Sequence, residues 1–186
     1  ARVCSLLGIF LLSPLSLYAQ EHLSKDYAYV IGASVSMGFN LLGRGHSPPI
    51  YTLKKMGYEK GEIIKKTVIT GSFQRKLKWL NKSLSDKPPA IIFAVDVFHH
   101  DLRKKTEVTD EKYSYFNTFL ETVTQSGVPV ILGTIWTRYD NQSTVDEMNA
   151  YLLKKEQQYS NLYLFPVDKV LDGITKEGKT FLYDID

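Results

Sequence analysis

The chain has 186 residues, a formal net charge of +3 and 44% hydrophobic residues, which suits one domain with its own core. Its basic residues come as scattered pairs (Lys54-Lys55, Lys65-Lys66, Lys104-Lys105, Lys154-Lys155), a solvated surface rather than a nucleic-acid tract. Cys4 is the single cysteine, which excludes an internal disulfide and a zinc site built from several cysteines.

Arg2 precedes an uncharged run from Val3 to Tyr18, which ends at Ala19-Gln20 before Glu21-His22. A basic start, a short apolar stretch and a small residue at the exit describe a secretory signal peptide over residues 1–19. Leu17, three residues before a cut after Ala19, is larger than the usual small residue. The run contains Pro14 and is short for a bilayer-spanning helix. The expected domain therefore covers residues 20–186 of a secreted or periplasmic bacterial protein. Membrane contact is expected only through residues 1–19, if they are retained.

Tyr27 to Ile31 (YAYVI) is expected as a strand ending at Gly32, with a helix opening over Ser34 to Leu42. Thr67 to Thr70 (TVIT) is expected as a second strand, ending at Gly71. Ser72 to Leu84 carries Phe73, Leu77, Leu80 and Leu84 at helical spacing. Pro88-Pro89 halts that helix. Ala90 to Asp96 (AIIFAVD) is a continuously apolar strand of the kind that parallel sheets bury on both faces. Lys112 to Ser126 is a helix with Tyr115, Phe116, Phe119, Leu120 and Val123 on one side, and Gly127 stops it. Val128 to Ile135 (VPVILGTI) is a fourth strand. Thr144 to Tyr159 is a helix with Val145, Met148, Leu152 and Leu153, and Asn161 to Val167 is a fifth strand. Val170 to Thr175 and Lys179 to Tyr183 flank Lys176-Glu177-Gly178 as an expected surface hairpin.

Strands alternating with helices imply right-handed crossovers. The expected fold class is α/β: a three-layer α/β/α sandwich with a mainly parallel five-stranded sheet. In such folds the working site lies at the carboxyl ends of the strands. That rule selects Gly32-Ala33-Ser34, Gly71-Ser72, Asp96 to Asp101 and Thr134 to Asp140.

Ser34 stands where a strand meets a helix start. Its hydroxyl is presented there, and the helix N-terminus offers amides and a positive field to a developing oxyanion. The same position suits a plain N-cap serine. The block is not a G-x-S-x-G elbow, because Ser36 sits where the last Gly should be. His99-His100-Asp101 reads as a loop pair at a pocket rim, since adjacent histidines point apart and share a metal ion poorly. Trp136 to Asp140 reads either as pocket lining or as packing with a surface ion pair.

The block Gly32-Ala33-Ser34-Val35-Ser36 resembles the Gly-Asp-Ser-Leu-Ser block that opens the SGNH/GDSL hydrolases, a family of serine esterases and lipases. Ile69-Thr70-Gly71-Ser72 resembles that family's second block. The resemblance implies the flavodoxin-like SGNH hydrolase fold and cleavage of ester (acyl) bonds. It also implies Ser34 as nucleophile and the Ser34 and Gly71 amides as the oxyanion hole. No metal or organic cofactor is implied, and the expected substrate is a small-molecule or lipid/carbohydrate ester. The chain departs from the family at three points. Ala33 replaces Asp. The third block, Ala94-Val95-Asp96-Val97-Phe98-His99-His100-Asp101, has no Asn, leaving Asp96 and His99 at that place. An ionised Asp cannot donate a hydrogen bond to an oxyanion. The four histidines are His22, His46, His99 and His100, so the family's Asp-x-x-His is expected beyond Asp186. An inactive binding domain on the same fold, and an unrelated doubly wound module in which Ser34 only caps a helix, stay open as alternatives.

Overall fold

The computed structural model describes residues 27–33, 36, 47–67, 73–99, 109–136 and 141–170. Five strands and four α-helices alternate among them. The strands are β1 (Ala28–Gly32), β2 (Ile63–Thr67), β3 (Ile91–Ala94), β4 (Val130–Gly133) and β5 (Leu162–Phe165). The helices are α1 (Pro48–Lys55), α2 (Phe73–Asp86), α3 (Asp110–Gln125) and α4 (Gln142–Glu156). The strands form one sheet in the order β2-β1-β3-β4-β5, and every pairing is parallel.

Alternate side chains of β1, β3, β4 and β5 feed two cores. On one face, Tyr29, Ile31, Ile92, Ala94, Val130, Leu132 and Leu162 meet the apolar stripes of α2, α3 and α4. On the other, Ala28, Val30, Ile91, Phe93 and Val95 meet Leu53 of α1 and Tyr58. Both faces of β1 and β3 are therefore dry, which explains their continuously apolar sequences. The expected α/β/α sandwich is the observed architecture.

The second strand differs from expectation. It begins at Ile63 and pairs Ala28 with Ile63 through Gly32 with Thr67, and Val68 to Thr70 lie outside the described residues. Its middle residues Ile64, Lys65 and Lys66 are exposed. β2 is an edge strand, bonded on one side only, and lysines on such an edge discourage pairing with another chain. Polar residues there hide the strand from a search for apolar runs. Helix α1 was not signalled by any apolar period either, although its cap is readable. Ser47 accepts from the Ile50 N–H, prolines follow at the first two positions, and Lys54 and Lys55 end it. Val170 closes a helical turn, its N–H donating to the Pro166 carbonyl at 3.1 Å, rather than starting a hairpin strand. The rest of the expected hairpin, most of the expected helix over Ser34 to Leu42 and the segment 1–19 lie outside the described residues. Among the described residues, no helix is long and apolar enough to cross a membrane.

Candidate active site at the carboxyl edge of the sheet

The sheet order reverses direction between β1 and β3, so the crevice of a doubly wound fold opens at their carboxyl ends. Ala33 leaves β1 there, and the turn after β3 holds Val95 to His99 beside it. Ser34 immediately follows Ala33. Ser34 and Gly71 themselves lie outside the described residues, as do His100, Asp101 and 137–140.

The turn after β3 sends its side chains to separate neighbours. Asp96 reaches across to the end of β1. Its Oδ1 accepts from the Ala33 N–H at 2.9 Å and the Ser36 hydroxyl at 2.5 Å, and its Oδ2 accepts from the Ser36 N–H at 3.2 Å. Phe98 drops into the core, its ring edge-on to Phe116 at 4.4 Å and to Phe119 at 5.2 Å between centroids. Such pairs add about 0.5–1.5 kcal/mol each beyond burial. The ammonium of Lys76, a buried residue of α2, donates to the Val97 carbonyl at 2.5 Å. His99 lies nearly parallel to Trp136 after β4, with ring centroids 6.4 Å apart and planes 15° apart. The segment is thus held from below by aromatic packing and from both sides by polar contacts.

Two glycines allow this closeness. A Cβ on Gly32 would lie 2.1 Å from Asp96 Oδ1 and 2.4 Å from Ser36 Oγ. One on Gly133 would lie 1.8 Å from the Val95 carbonyl oxygen. Gly32 is therefore needed for the carboxylate to approach β1, and Gly133 for β4 to approach the β3 turn.

Polar contacts at the ends of β4 and β5 complete this edge. The Thr134 hydroxyl donates to Asp168 Oδ1 at 2.6 Å and accepts from the Asp168 N–H at 3.2 Å. Asn149 of α4 pairs with both backbone groups of Ile135: its Oδ1 accepts from the N–H at 2.7 Å and its Nδ2 donates to the carbonyl at 2.8 Å. Ser47 donates to the Ser36 carbonyl at 2.7 Å, which ties the cap of α1 to the turn after β1.

Of the expected site residues, the structure brings Asp96 to the β1 turn and His99 to Trp136. Asp96 accepts from backbone amides and a hydroxyl at the place where the family's third block supplies a donor. Thr134 opens one of the segments the sequence selects, whereas Lys76, Ser47, Asn149 and Asp168 fall in none of them. Lys76 follows Phe73 by three residues, within the buried stripe of α2, and that spacing was the available signal for a buried amine. Among the described residues, no group of three or more His, Cys, Asp or Glu is placed to hold a metal ion.

An all-parallel sheet in the order 2-1-3-4-5, with helices on both faces and a polar crevice at the switch point, defines a doubly wound α/β protein of the flavodoxin-like kind. Within that class the fold is that of the SGNH/GDSL hydrolases. A lipolytic protein of the G-D-S-L family from Veillonella parvula DSM 2008 matches with a TM-score of 0.60 and 15% identity, over 83% of this chain and 84% of that one. AlinE4, an SGNH-hydrolase family esterase, matches with a TM-score of 0.58 and 18% identity, over 81% of this chain and 80% of that one. TesA matches with a TM-score of 0.56 and 14% identity, over 84% of this chain and 100% of that one. No protein-family model and no curated protein sequence matches the chain.

Proposed function

We propose that this protein is a member of the SGNH/GDSL family, an exported serine hydrolase that cleaves small-molecule ester bonds with Ser34 as nucleophile. The observation that carries the reading is the place of the Gly32-Ala33 junction, which Ser34 follows in the sequence. It stands at the carboxyl end of β1, at the switch point of a fold shared with esterases.

In this reading the Ser34 oxygen attacks the ester carbonyl, and its proton passes to a histidine general base, as the family resemblance implies. The Ser34 and Gly71 amides take the oxyanion. The alcohol leaves with that proton, and water then releases the acid from the acyl-serine. Residues 1–19 act as the export signal and place the domain in the periplasm or outside the cell. N-terminal sequencing of the protein from the periplasmic fraction checks this, and an intact residue 1–19 segment there overturns cleavage.

The decisive experiment is labelling of the full-length protein with a fluorophosphonate, which loses fluoride to the attacking serine. Labelling is expected in the parent protein and absent in Ser34→Ala. Labelling that persists in Ser34→Ala removes Ser34 as nucleophile. A second reading, a binding domain on the same fold, is favoured by the third block, where Asp96 is an acceptor and no Asn is present. Absence of labelling and of ester hydrolysis in the parent protein selects it.

A further inference from the structure

Resting on Ser34 as the nucleophile, we infer that Asp96 is a positioning residue that sets the geometry of the nucleophile turn from the end of the neighbouring strand. Among the described residues, its donors come from either side of Ser34: the Ala33 N–H before it, and the Ser36 N–H and hydroxyl after it. Asp96 and Ser36 are 60 positions apart, so the contact is purely tertiary. Ala33 brings an amide to this turn and no carboxylate of its own. The carboxylate there comes from the turn after β3.

Several features make this a built arrangement. Asp96 is 6% exposed and Ser36 is fully buried, so water competes little for these bonds. Bonds from N–H and O–H donors to a carboxylate are shorter and stronger than neutral ones. Gly32 leaves the space the carboxylate occupies, since a Cβ there would overlap it. The Ser36 carbonyl is held in turn by the Ser47 hydroxyl at the cap of α1. The turn on both sides of Ser34 is thereby fixed to β3 and α1, which are rigid elements of the sandwich. In this scheme Asp96 acts through its contacts with Ala33 and Ser36, which bracket the nucleophile in the sequence.

The test uses the full-length protein and p-nitrophenyl acetate, with active serines titrated by fluorophosphonate so that kcat is counted per competent site. Asp96→Ala removes the acceptor for these bonds and, unlike Asn, does not place the family's third-block amide at this position. We expect kcat per titrated serine to fall about 10- to 100-fold, in line with losses from small misplacements of a reacting group. KM and the midpoint of the pH profile stay as in the parent, because neither substrate contact nor the base is altered. Ser36→Ala removes one arm and gives a smaller loss in the same direction, and the double variant loses less than the two effects combined. A residue with a merely structural role would lower the melting temperature and the titrated fraction while leaving kcat per site intact. That result overturns the inference. If Asp96→Ala does not fold, unchanged kcat per site in Ser36→Ala overturns it as well. Failure of the underlying reading is separate: a parent protein that neither labels nor turns over, or a Ser34→Ala variant that still does, removes the reaction itself and the positioning role with it.

Discussion

Gly133 ends β4 directly against the backbone that follows β3, and replacing it with alanine tests how tightly the site edge is built. An added Cβ would stand 1.8 Å from the Val95 carbonyl oxygen, 2.7 Å from its carbon and 2.9 Å from a Val167 methyl. The methyl can rotate away, but the carbonyl belongs to the main chain of a buried turn. Reaching even 3.0 Å requires β4 and the Val95 segment to separate by about 1.2 Å. Overpacking a rigid interior costs about 1–3 kcal/mol, and a clash with backbone on both sides puts Gly133→Ala near about 3 kcal/mol. For a chain of this length that lowers the melting temperature by about 6–12 °C. Thermal melts followed by far-UV circular dichroism, with urea titrations alongside, measure it. Because Val95 immediately precedes Asp96, fluorophosphonate labelling should slow as well. A melting temperature within about 2 °C of the parent would refute the reasoning, since it would mean that β4 and the β3 turn are not in the contact described.

Two other substitutions probe neighbouring features. Asn149→Ala leaves both backbone groups of Ile135 without their side-chain partner, and should cost at least about 2 kcal/mol in urea unfolding; an unchanged midpoint would show that the pairing contributes nothing. Tyr113 donates its hydroxyl to the Glu147 carboxylate, and that bond, with burial and the Glu147 charge, pushes the phenol up to about 12. A pKa raised on folding stabilises the protein below the unfolded phenol's value of about 10, and this is lost as pH rises toward 12. The stability difference between the parent and Tyr113→Phe should therefore be present at pH 9 and shrink between pH 10 and 12, read by urea unfolding at each pH. A constant difference across that window would contradict the assignment.

Much of the fold was readable in the residues. The runs around Val30, Ile92 and Leu132 are apolar on every position because both sheet faces are covered, and a run of that kind has few other uses in a chain of this size. Phe73, Leu77 and Leu80, and Phe116, Phe119 and Val123, repeat at helical spacing because one stripe of each helix must be buried. The carboxyl edge of the sheet as the place of chemistry follows from the alternation of strands and helices alone. Strand β2 escaped because an edge strand answers to solvent and to the avoidance of further pairing, so Lys65 and Lys66 stand where a central strand would carry valine or isoleucine. What tertiary structure alone decided is the set of contacts across the switch point. Nothing near Asp96 in sequence announces that its carboxylate meets Ala33 and Ser36, that Lys76 spends its ammonium on the Val97 carbonyl, or that Gly32 and Gly133 leave room for neighbours rather than for turns. These partners lie 21 to 63 positions apart, and local pattern carries no record of which buried polar groups will meet. The sequence determined where the turn after β1 would stand, and the packing of β1 against β3 determined what holds it in place.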